Sequence, residues 1–393
     1  MTLTREPDSR YSWFLAIVGA TTLVFTLGTP FSYGVFLEPF AEHYQLSEVS
    51  LSFVFAVHLF AAYSIAGVLV VFATRYEAHH VLLVMGALMA FLAPSLYVIE
   101  SLLGLLVVFT LLGTALGTVL IILISIIPQW FERAQGLATG VVFVGIGLSL
   151  FVLPPGWNLA IEAIGIRDGF LAIVGIGALL ILASGLVCRY PPWVPTTTVS
   201  FPELNHWLAH VLRTRRFYFL FFGFGLAFSG FFLVAGFSIS LFETRGMTRA
   251  VATVTFGLIG GTSIVSRIAS GAIADRYGYE LTYRLSLAAA VLGCVILLLP
   301  GVISVYIAVV FFGISLGGIT TLFVPIALGV YDPDKATAII GIFSVGLGIA
   351  ALAAPPVATT LVSATDSFQP VIILTLLTAV VAMVLVWLGA TTR

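Results

Sequence analysis

GVVFVGIGLSLFVLPP, residues 140–155, returns 201 residues further along the chain as GIFSVGLGIAALAAPP, residues 341–356. Gly140, Gly145, Gly147, Pro154 and Pro155 thus recur as Gly341, Gly346, Gly348, Pro355 and Pro356. Glycines at these intervals let neighbouring helices approach closely, and a Pro-Pro pair is expected to bend or end the helix. Each copy lies in an apolar run of the length that crosses a bilayer, about 20 residues. Working outward from the two copies, runs of this kind recur along the whole chain. They predict twelve spans, at 12–37, 49–73, 81–99, 102–127, 137–157, 170–188, 217–242, 250–274, 282–299, 303–329, 337–360 and 370–389. The repeat falls in the fifth span of each half. A parallel repeat implies an all-α membrane protein of two six-helix bundles related by a pseudo-two-fold axis around a central cavity.

The longest polar interruption, 189–216, divides the spans six and six and holds Pro191, Pro192 and Pro195. The expected organisation is an N-terminal bundle (1–188), a linker (189–216) and a C-terminal bundle (217–393). Within the linker, FPELNHWLAHVLRTRR from Phe201 is expected to form a short amphipathic helix, lying on the membrane interface or acting as a solvated connector.

Composition sets the solvent. Of 393 residues, 60 % are hydrophobic and 8 % charged, a balance that one soluble core cannot hide. Net charge is −1 and the 16 Lys+Arg are scattered, so there is no basic stripe for nucleic acid. Cys188 and Cys294 form neither a disulfide framework nor a metal spacing, and no cofactor is implied. The buried residues hold no Ser/His/Asp or paired-carboxylate constellation of an enzyme and no selectivity ring of a channel. The run 11–37 is longer than a secretory h-region and reads as a retained first helix.

Basic residues near span ends stay in the cytoplasm. Arg5, Arg10, Arg75, Arg133, Arg189, Arg213, Arg215, Arg216, Arg276, Arg284, Lys335 and Arg393 fall on the side of the termini, against Arg167, Arg245 and Arg249 opposite. Both termini of this multi-pass protein of the cell membrane are therefore expected to be cytoplasmic, and a monomer is expected.

GAIADRYG, residues 271–278, follows the eighth span. It resembles the G-x-x-x-D-R-x-G loop signature of the major facilitator superfamily. The resemblance implies a cytoplasmic gate at Gly271, Asp275, Arg276 and Gly278, the charged pair capping helix ends and latching helices together. The corresponding loop of the first half, from Gly67, lacks the Asp and the second Gly. A narrower resemblance, to the monocarboxylate transporter and oxalate:formate antiporter branch, rests on WFERAQGLATGVVFVG, residues 130–145. DSRYSW at 8–13, Pro30 and YGVFLEPF from Tyr33 also fit that branch.

One permanently charged residue, Arg267, sits well inside a predicted span. Its eight-residue separation from Asp275 puts it about 12 Å from the helix end. Burying a cation there is costly unless it faces water or negative charge, and no Asp or Glu lies deep in any predicted span. The branch resemblance places a substrate-binding arginine at this position, and a guanidinium suits bidentate capture of a carboxylate. The alternative is that Arg267 pairs inside the protein or with a backbone carbonyl. Thr29, Tyr33, Thr320, Thr321 and Ser344 are candidate cavity-lining groups that can equally bond the preceding turn. His58 is a candidate for proton coupling, or a neutral histidine bonded to a neighbouring helix. The positions where animal monocarboxylate carriers use a lysine and an aspartate for proton movement read Phe31 and Ser263 here. The expectation is a secondary transporter moving a small, partly apolar organic acid by alternating access. Coupling stays open between proton symport and exchange for a counter-anion; the alternatives are a neutral sugar or drug as cargo, or dicarboxylate exchange.

Overall fold

The computed structural model describes residues 6–73, 76–193, 201–332 and 335–391. Arg5, Arg75, Arg393 and Pro195 lie outside the described residues, as do the side chains of Pro30, Phe31, Tyr33, Glu38 and Arg249. Every regular element among the described residues is helical. Eleven helices among the described residues are long and apolar enough to cross a membrane, and α1 (Arg10–Phe31), continued by α2 (Tyr33–Tyr44), stands where the first span is predicted.

The second span is α3 (Glu48–Phe60), a π-helical turn (Ala61–Ile65) and α4 (Ala66–Ala73). After it come α5 (Ala78–Leu92), α6 (Leu102–Ile126) and α7 (Gln135–Val187). The short α8 (Phe201–Val211) precedes α9 (Arg215–Thr244), α10 (Arg249–Tyr277) and α11 (Tyr279–Leu297). α12 (Val302–Val330), α13 (Ala336–Thr365) and α14 (Gln369–Thr391) complete the chain.

Two expectations need correction. The fifth and sixth spans are not separated by an irregular loop: α7 runs to Gly165, whose φ of 83° breaks it, and resumes at once. Of the two outcomes expected at the Pro-Pro pairs, a bend or an end, the end does not occur: α7 passes through Pro154 and Pro155, and α13 passes through Pro355 and Pro356 to Thr365. Proline's fixed φ is helical; what it removes is an N–H donor, and the freed carbonyls can be satisfied locally or by neighbouring helices.

The chain forms two compact units. One comprises Met1–Arg133, Val141–Phe201 and Tyr331–Gly348; the other Ala134–Gly140, Pro202–Val330 and Ile349–Arg393. The first turns of α7 therefore belong with the second unit, and the opening half of α13 belongs with the first.

Inside the first unit, the second span lies against α6 at Gly113 and Gly117, where a Cβ would collide with the backbone carbonyls of His58 and Ala62. Inside the second unit, α10 lies against α12 at Gly313 and Gly317, where a Cβ would come within 2.8 Å of the Ile259 carbonyl oxygen and 2.7 Å of that of Ser263. Close backbone approach of this kind is how helices gain dispersion energy in lipid, where no hydrophobic driving force between them exists. The two contacts correspond: Gly113 and Gly313 are 200 residues apart, and His58 and Ile259 are 201 apart. The repeat thus extends from the fifth spans to the helices that carry the candidate site.

Candidate functional site

Arg267 sits in the middle of α10 with 2 % of its surface exposed. Its Nη1 donates to Thr320 Oγ1 at 2.8 Å, and Thr320 Oγ1 donates in turn to the Leu316 carbonyl at 2.7 Å. The backbone explains the meeting. Gly317 brings α12 onto Ser263 and Ser266 of α10, and one turn further along each helix stand Thr320 and Arg267. Ser266 Oγ donates to the Ile314 carbonyl at 2.6 Å, a second bond between the same helices. Thr320 is thus both anchored to its own helix and an acceptor for the guanidinium, which fixes the direction in which that donor points.

Thr321, next along α12, is fully buried and its Oγ1 has no hydrogen-bond partner among the described residues. A buried hydroxyl left in this state is costly, so Thr321 remains a candidate ligand donor. Ser344 Oγ bonds the Ile340 carbonyl of its own helix at 2.9 Å. Thr29 is buried in α1. The side chain of Tyr33 lies outside the described residues. Thr29, His58 and Ser344 belong to the first unit, Arg267, Thr320 and Thr321 to the second.

His58 is fully buried, its Nδ1 2.8 Å from the Phe109 carbonyl oxygen of α6, while Nε2 has no partner among the described residues. The π-helical turn begins three residues later. Such turns often mark functional sites, and nothing in the apolar pattern of 61–65 announces it.

The loop motif builds a cap. Asp275 accepts from the backbone N–H of Gly136 at 2.8 Å and of Leu137 at 2.9 Å, and the Tyr279 hydroxyl donates to it at 3.0 Å. Gly136 and Leu137 lie in the first turn of α7, whose N–H groups have no intrahelical acceptor, so a carboxylate from α10 serves the helix start and its dipole. Gly271 and Gly136 approach so closely that a Cβ on either would meet the other's carbonyl. Gly278 has a φ of 98°, which only glycine adopts without strain, and this lets α11 follow α10 directly. Arg276 is exposed.

Sequence reasoning missed how the two branch-like stretches meet. Asp8 accepts from the N–H groups of Glu132 and Arg133 at 3.2 and 3.1 Å, and its own N–H donates to the Trp130 carbonyl. Tyr11 stacks edge-on to Trp130, and Trp13 to Phe131. DSRYSW is therefore the capping partner of WFER, a relation that neither stretch signals alone.

Comparison with known proteins agrees with the fold. The family model described as Major Facilitator Superfamily matches residues 14–328. The chain belongs to the major facilitator superfamily and is a multi-pass membrane protein. Within the superfamily, its curated relatives include proteins named monocarboxylate transporters. It is 27 % identical over 209 residues to mouse (Mus musculus) monocarboxylate transporter 9, covering 52 % of this chain and 39 % of that one. It is 26 % identical over 379 residues to rat (Rattus norvegicus) monocarboxylate transporter 3, covering 92 % of this chain and 76 % of that one. The match thus spans about two fifths of the length of the transporter 9 relatives. Among solved structures, the transporter FucP of E. coli, a fucose:proton symporter, aligns with a TM-score of 0.76 at 13 % identity over 97 % of this chain and 100 % of that one. The proton:xylose symporter XylE aligns with a TM-score of 0.71 at 14 % identity over 96 % and 94 %.

Proposed function

We propose that this transporter carries a small monocarboxylate-like organic anion by alternating access, with Arg267 binding the carboxylate and Thr320 orienting the guanidinium. One observation carries the reading: a guanidinium 2 % exposed in the middle of a membrane helix, tethered by a hydroxyl. A permanent cation in that place is expensive, and a carboxylate is the complement that matches its planar fork. Thr29, Tyr33, Thr321 and Ser344 are proposed to complete the substrate contacts. Residues 1–188 and 217–393 are proposed as the moving bundles, joined by 189–216, with both termini cytoplasmic in a cell-membrane monomer; the uneven distribution of basic residues supports that orientation. Gly271, Asp275, Arg276 and Gly278 act as the gate, released once per cycle.

For coupling, His58 is the proton-handling candidate, with Nε2 as the atom that would take the proton. The exchange reading needs no such step, because the anion's charge is balanced by a returning anion. Purified protein in liposomes separates these readings. Saturable uptake of a short monocarboxylate is expected, lost in Arg267→Ala and in the corresponding amide substrate. If Arg267→Ala and Arg267→Lys proteins, inserted as the parent is, carried every carboxylate at the parental rate, the assignment would be wrong. Uptake that follows an imposed pH gradient and vanishes in His58→Gln supports symport; uptake that requires anion preloaded inside supports exchange.

A further inference from the structure

The second unit holds a cavity of about 350 Å³ at the end opposite the start of α10, the end that the basic residues predict to be cytoplasmic. Its walls include Arg216, Tyr277, Glu280, Arg284 and Gly329. The transport reading touches it only at Gly278, and it does not depend on Arg267.

Its electrostatics favour an anion. Two guanidinium groups face one carboxylate. Arg216 spends Nε and Nη2 on the Gly389 and Ala390 carbonyls at 2.9 and 3.3 Å, which caps α14 and holds the positive charge at the wall. Arg284 makes no ion pair among the described residues, although Glu280 stands one turn before it on α11, and its Nε is buried without a hydrogen-bond partner. The cavity also borders the first turn of α11, where Gly278 offers no side-chain cap, so the partial positive charge of that helix end adds to the two cations. Space is available as well, since a Cβ placed on Gly329 would meet nothing within 4 Å.

We infer that this cavity binds a phosphate-bearing anion, with Arg284 as the principal ligand and Arg216 as the fixed charge beside it. Two sources share that chemistry: the headgroup of an anionic phospholipid, which a membrane interface supplies, and a free phosphate from solution. Guanidinium groups bind phosphate oxygens through charge-assisted, often bidentate bonds, and an anion here would satisfy the buried Nε that the protein leaves unmet.

The test uses the full chain in detergent, freed of lipid, titrated in parallel with phosphatidylglycerol and with inorganic phosphate against sodium chloride of equal ionic strength. Binding is read by native mass spectrometry and by thermal shift, since a ligand that favours the folded form raises its stability. Arg284→Gln is expected to weaken binding by about tenfold or more, the scale of a lost hydrogen bond to a charged group. Gly329→Leu, which fills the cavity without touching a charge, should abolish it, and Glu280→Gln should tighten it. Retention of phosphatidylglycerol by the parent but not by Arg284→Gln or Gly329→Leu, with no response to phosphate, identifies a lipid headgroup. A phosphate-dependent shift with the same variant pattern identifies a soluble anion. Equal responses in the parent and both variants, or no response to either probe, overturn the inference, as would weaker binding in Glu280→Gln.

Discussion

The contact of the second span with α6 in the first unit and the α10–α12 contact of the second are built on one plan. In each, two glycines four residues apart press their backbone onto the carbonyls of a facing helix: Gly113 and Gly117 over His58 and Ala62, Gly313 and Gly317 over Ile259 and Ser263. What differs is the next turn. The second unit places Arg267 against Thr320 there; 201 residues before Arg267 stands Ala66, and 200 before Thr320 stands Leu120, both buried and apolar. The duplicated frame therefore settles where two helices meet, and on the proposed reading the chemistry lies in which copy was given polar side chains at that meeting point. The first copy instead carries His58 and the π-helical turn, features that α10 lacks.

If that division is right, disabling the chemistry and disabling the frame must look different. The largest effect is expected for Arg267→Ala, with transport efficiency falling about 100-fold or more, the scale of leaving a buried charged partner unmatched. Thermal stability of the protein should change far less than uptake, a split that uptake assays and melting curves measured on one preparation would show. Ala66→Ser in the first copy should leave uptake near the parental value.

Next come the glycines. Gly117→Ala and Gly317→Ala should each destabilise their unit by about 1–3 kcal/mol through overpacking. Gly117 should be the costlier site, because its Cβ would strike the Ala62 carbonyl head-on whereas Gly317 has 2.7 Å to the nearest backbone oxygen. Denaturation monitored separately in the two units is the measurement, and equal tolerance of both substitutions would break the comparison. Thr320→Val follows in size: losing the oriented acceptor should raise the KM for a carboxylate about tenfold, while Leu120→Val at the corresponding place does nothing to KM.

Much of the frame was legible in the chain itself, and the reason is physical. A span needs an unbroken apolar length, so α6, α9, α10, α12 and α14 fall close to their predicted limits, and a lone arginine in such a run draws attention to itself. Its partner did not. Thr320 and Thr321 are adjacent, hence about 100° apart around the helix, and composition cannot say which of them faces α10. The π-helical turn at 61–65, the continuation of α7 and α13 through their proline pairs, and the capping of WFER by Asp8 all depend on which backbone groups find partners. Those partners lie far along the chain, and a single sequence does not pair them.

The smallest effect concerns the starts of the two fifth spans, where the copies again diverge. In the second unit the start of α7 is held by a carboxylate, Asp275, through Gly136 and Leu137. In the first unit, Thr337, which stands 201 residues after Gly136, is held instead by the Tyr190 hydroxyl at 2.9 Å. Burial raises the Tyr190 phenol above its ordinary value, so it stays neutral at working pH and the bond remains one between uncharged groups. A carboxylate at a helix start gains from the dipole as well as from two hydrogen bonds, and a phenol gains only one bond. Asp275→Asn should therefore cost about 1 kcal/mol and Tyr190→Phe about half that, with the Asp275 effect shrinking in high salt and the Tyr190 effect unmoved by it. Two equal costs with the same salt dependence would mean that the copies use the same latch after all, and the contrast drawn from their side chains would fail at this point.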